Sequence, residues 1–262
     1  MKRSLSGDNW TDLGGIVENG YLVSTVPFNS FSEFAIGSQD VQPLASTNIL
    51  LTAIPEGFYD EVNNRLNSRD TFKVYLRDIN SPYALIDSAV SVIDSLTFGM
   101  FLEFHNAPTG LYFIVIKNRN TLETWSKSDG IVFTKYTSMA YNFTTSQNNA
   151  YGSNQILKGT KWCLYSGDIN QDGTIDLNDM IPILSDYDNL NYHLDNDINH
   201  DGTVDLNDAV FVLSGYDNLI SIIIPSKFYQ LNNKKTVNSL GSKTLNDLRL
   251  RLNIEKQRTT PK

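Results

Sequence analysis

The 262-residue chain contains a single cysteine, Cys163, which excludes an intramolecular disulfide framework and any zinc site built on thiolates. Histidine is nearly as scarce. His105, His193 and His200 are the whole supply of imidazole for acid–base chemistry. No apolar run approaches the roughly 18 residues that a membrane-spanning helix needs. The longest candidate, Leu219-Ile220-Ser221-Ile222-Ile223-Ile224, is of strand length. No nucleophile elbow, phosphate loop or HExxH pattern occurs, and no acid–base pair stands outside the aspartate-rich stretch 168–219. The chain is therefore expected not to be an enzyme. Charged residues make up only 19% of it, while Asn, Ser, Thr and Tyr are plentiful, the composition of a β-rich protein rather than a coiled coil.

The charge lies segregated. Residues 168–219 hold 12 Asp and no Glu, Lys or Arg, and so carry −12, while 220–262 set nine Lys/Arg against Asp247 and Glu255 for +7. The remainder, 1–167, is −3, which completes the net −8. Twelve like charges in 52 residues would ordinarily mark a repelling, disordered segment. Here the aspartates are spaced rather than clumped and stand among apolar residues, which implies a counter-charge.

The spacing comes from an internal repeat. Residues 168–190 (DINQDGTIDLNDMIPILSDYDNL) and 197–219 (DINHDGTVDLNDAVFVLSGYDNL) match at 16 of 23 positions at an offset of 29. Each copy opens with oxygen-bearing residues at positions 1, 3, 5, 9 and 12 and glycine at position 6. In the first copy these are Asp168, Asn170, Asp172, Asp176 and Asp179 with Gly173; in the second, Asp197, Asn199, Asp201, Asp205 and Asp208 with Gly202. Calcium takes six to eight oxygens, and a 12-residue loop supplies them by winding round the ion, with a backbone carbonyl at position 7, here Thr174 and Thr203. Two Ca2+ ions are expected, one per loop. Magnesium, with its strict octahedral demand, fits less well. Position 8 is apolar in both copies (Ile175, Val204), as expected if the loops pair through a short β-bridge.

Each loop is followed by a helical pattern: Leu177, Met180, Ile181 and Leu184 in one copy, Leu206, Ala209, Val210 and Leu213 in the other. Asp176 and Asp205 stand where N-caps belong, and Pro182 should tighten or kink the first helix. No helix is expected before either loop, because Lys161–Gly167 alternates like a strand and ends in glycine. The unit is thus half an EF-hand, used twice.

Such a tandem pair resembles a dockerin domain, the module that binds cohesin domains of bacterial scaffoldins, over residues 163–222. The resemblance implies calcium-dependent folding, internal two-fold pseudo-symmetry and partner binding through the helix faces. It also implies partner contacts at loop positions 10 and 11, here Leu177-Asn178 and Leu206-Asn207. Well-known members carry Ser/Thr there and a basic pair further along the helix; this chain has neither. The expected partner is a cohesin-like or other surface scaffold protein.

Residues 48–162 show strand-sized segments between turn signals: Asn48–Ile54, Phe72–Arg77, Ala84–Ile93, Phe98–Phe104, Leu111–Ile116 and Met139–Phe143. Their number and spacing predict a β-sandwich. The F-x-N-x-P-x-G-x-Y stretch over Phe104–Tyr112 resembles transthyretin-like and carboxypeptidase-regulatory-like sandwiches. Trp125, among polar neighbours, offers a platform for a sugar ring, against the simpler reading that it packs a core edge. A carbohydrate-binding sandwich with a structural calcium clamp is the alternative function, which makes polysaccharide a second class of partner.

The fold class expected is α+β and multidomain, a β-sandwich followed by a small α-helical dockerin-like domain with two calcium loop–helix repeats. Residues 1–40, with Trp10, the Gly14-Gly15 turn, Tyr21-Leu22-Val23 and Phe28–Ile36, read as remnant strands of a truncated upstream β-domain. Residues 223–262 form a basic, poorly ordered tail. Without a folded basic face, nucleic-acid binding is not expected. The polar start at Met1-Lys2-Arg3-Ser4 has no apolar stretch of signal-peptide length, yet the module's kind of work places it outside the cell or on its surface. The expected function is calcium-dependent protein docking in extracellular or cell-surface assembly, linked to polysaccharide degradation.

Overall fold

The computed structural model describes residues 2–3, 13–18, 21–27, 33–34 and 46–225. The chain divides into two compact units, 1–45 and 46–262. In the first, β1 (Lys2–Arg3), β2 (Ile16–Glu18), β3 (Tyr21–Val23) and β4 (Glu33–Phe34) form two antiparallel pairs, β1 with β4 and β2 with β3. Trp10, most of the Phe28–Ile36 segment and the basic tail beyond Pro225 lie outside the described residues.

The second unit opens with β5 (Thr47–Thr52), the short hairpin β6 (Tyr59–Asp60) and β7 (Arg65–Leu66), then β8 (Thr71–Asp78), β9 (Leu85–Val92) and β10 (Gly99–Phe104). It continues through β11 (Gly110–Lys117), β12 (Thr124–Trp125), β13 (Ile131–Phe133), β14 (Ser138–Asn142) and the hairpin β15 (Ile156–Lys158) with β16 (Lys161–Cys163). One sheet has the order β10-β5-β14, with β14 parallel to β5; the other runs β12-β11-β8-β9 with β13 also on β11. Alternation decides which residues meet between them. Phe72, Val74 and Leu76 of β8 point inward, as do Ile49 and Leu51 of β5 and Met100, Leu102 and Phe104 of β10, and all join one buried core. The architecture is a β-sandwich, and each of the six segments read from the sequence overlaps a strand. The turn after β10 is fixed by Asp87, whose Oδ2 accepts from the N–H groups of Asn106 and Ala107 at 2.7 and 3.0 Å.

Two helices follow, α1 (Leu177–Asn189) and α2 (Leu206–Asp217), each directly after a loop. Their buried faces differ from the expected ones. Ile183 and Val212 are buried, whereas Ile181 is 64% and Val210 38% exposed. The period is helical as anticipated, but the inward stripe is rotated toward 177, 180, 183 and 187 because the helices pack on each other and on residues beyond the repeat. Pro182 does not end α1, which continues to Asn189.

The helical pair does not hang from a linker. Leu164 N–H donates to Ile54 O at 2.8 Å, Glu56 N–H to Leu164 O at 2.9 Å and Leu122 N–H to Tyr165 O at 2.9 Å. Leu122, between two strands of the sandwich, is fully buried in the helical core with Ile175, Met180, Ile183, Leu206 and Val212. Gly57 comes so close that a methyl built on it would lie 2.3 Å from Ile198 O.

Candidate functional site

The two loops are wound in the same way. In the first, Ile169 and Asn170 N–H donate to Asp179 Oδ1 at 2.8 and 3.0 Å, and Asp176 N–H donates to Asp179 Oδ2 at 2.9 Å. In the second, Ile198 and Asn199 N–H donate to Asp208 Oδ1 at 2.7 and 3.0 Å, and Asp205 N–H to Asp208 Oδ2 at 2.9 Å. The last carboxylate of each loop thus also completes a capping box: Asp176 and Asp205 accept from Asn178 and Asn207 N–H, both at 2.7 Å. Gly173 and Gly202 sit at φ +86° and +92°, a region that disfavours any side chain, so glycine at position 6 answers a backbone demand.

The first carboxylates differ between the copies. Asp168 Oδ2 accepts from Gly173 N–H at 3.3 Å, while its Oδ1 is buried with no hydrogen-bond partner among the described residues. Asp197 is more fully engaged, accepting from Asp201 N–H at 3.2 Å, Gly202 N–H at 3.1 Å and Tyr192 Oη at 3.1 Å. Burial, then the nearby Asp179 and Asp172 carboxylates, push the Asp168 carboxyl up to about 7. Burial also pushes Asp208 up to about 7, against its backbone hydrogen bonds and with Asp197 adding repulsion. Asp179 is raised from its ordinary value for the same first reason.

Each loop offers oxygen donors only, the hard-ligand chemistry suited to calcium: carboxylates at positions 1, 5, 9 and 12, the amide of Asn170 or Asn199, and the carbonyl of Thr174 or Thr203. Among the described residues no three His, Cys, Asp or Glu side chains are gathered as a ready-made metal cage. Asp179 and Asp208 direct both oxygens to backbone N–H groups. Asp168 Oδ1, buried and unpaired, is the donor that suits a cation directly. The expected bridge between loops is absent among the described residues; instead Ile175 N–H donates to Ile220 O at 3.0 Å, and Thr174 is bridged to Ser221. The segment after α2 has taken the place of the second loop because Ile220 and Ile222 complete the helical core.

No protein-family model matches the chain, and no curated protein matches it in sequence. Solved structures do. Two crystal structures from Acetivibrio cellulolyticus are similar to it, an N-terminal and a C-terminal interface mutant of a type II cohesin–X–dockerin complex. The identities are 18% and 19%, each covers 65% of this chain and 95% of its own, and the TM-score is 0.40 in both.

Of the residues expected to touch a partner, Asn178 and Asn207 are exposed and Leu177 is half-buried. Leu206 is only 2% exposed and belongs to the helical core, so it is not a contact residue. Trp125 is likewise no platform. It is 5% exposed, packs edge-on to Phe113 and Tyr83, and donates from Nε1 to Glu123 Oε1 at 2.9 Å, so the core-edge reading replaces the sugar-stacking one.

The second loop is fastened to the sandwich by contacts that the repeat pattern did not reveal. Asn67 Nδ2 donates to Asn199 O at 2.8 Å, and His200 Nδ1 lies 3.1 Å from Ser68 Oγ with its ring 3.8 Å from that of Phe58. Burial, then the Arg119 guanidinium, hold the His200 imidazole below its ordinary value. A second missed group is Asp186, buried in α1, which accepts from Asn196 Nδ2 at 2.5 Å and lies 2.7 Å from His193 Nδ1. The only sequence signal for it was a break in the repeat, since the second copy has Gly215 at the equivalent position.

Proposed function

We propose that residues 163–222 are a calcium-stabilised docking module of dockerin type, carried on the β-sandwich and acting outside the cell or on its surface. The observation that carries the reading is the duplicated loop: the same three backbone bonds close each copy, while Asp168 Oδ1, under the influence of the Asp179 and Asp172 carboxylates, stays buried without a partner. Asp168, Asn170, Asp172, the Thr174 carbonyl, Asp176 and Asp179 would hold one ion, and Asp197, Asn199, Asp201, the Thr203 carbonyl, Asp205 and Asp208 the other. A bound ion supplies positive charge to a segment of −12. Extracellular modules work with weak sites, filled at about 10⁻⁴ to 10⁻³ M calcium, which fits loops whose last carboxylates are shared with the backbone.

The partner is a protein of scaffold type, and the reading is non-catalytic. Ile181 and Val210 stand at equivalent positions of the two helices, apolar and exposed, beside Asn178 and Asn207. The three histidines form no acid–base constellation: His193 is tied to Asp186, His200 is buried against Phe58, and His105 is exposed at a turn.

The test is a calcium titration of the full chain by calorimetry, with circular dichroism in calcium and in chelator. Two sites are expected, with Asp168→Ala and Asp197→Ala each removing one. An identical spectrum and no heat with either ion or chelator would sink the reading. Docking is tested by retention of cell-surface proteins in calcium and their loss in chelator and in the Ile181→Glu/Val210→Glu double variant.

A further inference from the structure

The outer face of the β8–β11 sheet carries a second feature beside the first loop, which contributes Gln171 to it. A cavity of about 740 Å³ opens there, lined by Lys73, Tyr75 and Arg77 of β8, Lys117 of β11, and Asp70, Arg119, Glu123 and Gln171 around them. Four cations face two carboxylates in a chain whose net charge is −8. The register sharpens the imbalance: Lys117 lies directly opposite Lys73 on the same face. Like charges in cross-strand register destabilise a sheet unless an anion sits between them.

The carboxylates present are already engaged. Asp70 Oδ2 is 2.7 Å from Arg119 Nη2 and accepts from Asn118 Nδ2 at 2.9 Å, and Asp70 Oδ1 accepts from Thr71 N–H at 2.6 Å. Glu123 takes the Trp125 indole on one oxygen and reaches Lys117 only at 4.0 Å with the other. Lys73 has no ion-pair partner among the described residues. Two more lining residues carry unspent valence: Arg77 Nε, a donor, and Gln171 Oε1, an acceptor, are buried without hydrogen-bond partners. Tyr75 lines the cavity between Lys73 and Arg77 along the strand, half-buried, with the Arg77 guanidinium 5.9 Å from its ring centroid.

We propose that this cavity binds an acidic sugar, its carboxylate between Lys73 and Lys117 and its ring against Tyr75. An inorganic anion would answer the lysines but not Tyr75 or the Gln171 acceptor, which calls for a hydroxyl. A neutral sugar would leave the Lys73 ammonium uncompensated and Lys117 with only the distant Glu123. The volume suits a ligand of one or two rings.

The experiment is calorimetric titration of the full chain with digalacturonate, with cellobiose and inorganic phosphate as comparison ligands and the calcium concentration the same throughout. Digalacturonate should bind, weaken steadily with added NaCl, and lose at least tenfold in affinity in Lys73→Gln and in Lys117→Gln. Lys135→Gln, outside the cavity, should bind as the parent does. Melting temperatures no lower than the parent's in the lysine variants separate lost binding from lost fold. No binding of digalacturonate, equal binding of cellobiose, equal binding of phosphate, or indifference to both lysine substitutions would each overturn the proposal.

Discussion

Asp179 and Asp208 each do two jobs, closing a loop and capping the helix that follows. Removing the Asp208 carboxylate leaves the N–H groups of Ile198, Asn199 and Asp205 without acceptors, the first buried and the other two partly so. Each orphaned group costs on the order of 1 kcal/mol or more. Asp208→Ala should therefore destabilise the chain by about 3 kcal/mol even in chelator, and Asp208→Asn, which keeps one acceptor oxygen, by less. Denaturant titrations of the two variants measure the gap; equal losses would show that the backbone bonds do not matter. The two matched loops and their glycine turns were legible because the spacing of Asp, Asn and Gly recurs at an offset of 29. The sharing of the last carboxylate with the backbone was not, because a sequence shows which oxygens are present but not which N–H groups reach them first.

At the level of the helices, the repeat is imperfect where it counts. Gly215 occupies the place of Asp186, and a methyl built on it would lie 2.4 Å from Ile175 Cγ2. Alanine is the better helix former by about 1 kcal/mol, but overpacking a filled core costs about 1–3 kcal/mol. Gly215→Ala should accordingly destabilise rather than stabilise, by about 1 kcal/mol, as thermal melts would show; a raised melting temperature would contradict the close approach of Ile175 to α2. Helix existence and type were readable from the 3.6-residue period. The rotation of the buried stripe was not, since Ile181 and Ile183 look equally apolar on paper, and it took the neighbouring helix and the Ile220–Ile222 segment to choose between them. The six strands of the sandwich were readable from alternation and turns, while the two-residue strands that flank them carry too few residues for any period to show.

For the unit as a whole, three carboxyl groups share an electrostatic condition. Burial chiefly raises Glu56, Asp168 and Asp208 to about 7. Their unfolded values lie near 4, so from about pH 4 to 7 the folded, metal-free chain keeps protons that the unfolded chain has released. Stability in chelator should be greatest at the acidic end of that window and fall as pH rises through it, by at most about 4 kcal/mol per group. In excess calcium the two aspartates should stop contributing, leaving the slope of Glu56, which Glu56→Gln removes. Equal denaturation midpoints at pH 5 and pH 8 in chelator would refute this. Leu122 has a different consequence. Because it reaches from the sandwich into the helical core, and Leu164 is laddered to Pro55, the loop pair is no interchangeable cassette. A recombination joint between Trp162 and Cys163 would carry off the repeat without Leu122, so the pair grafted alone would arrive with a hole in its core.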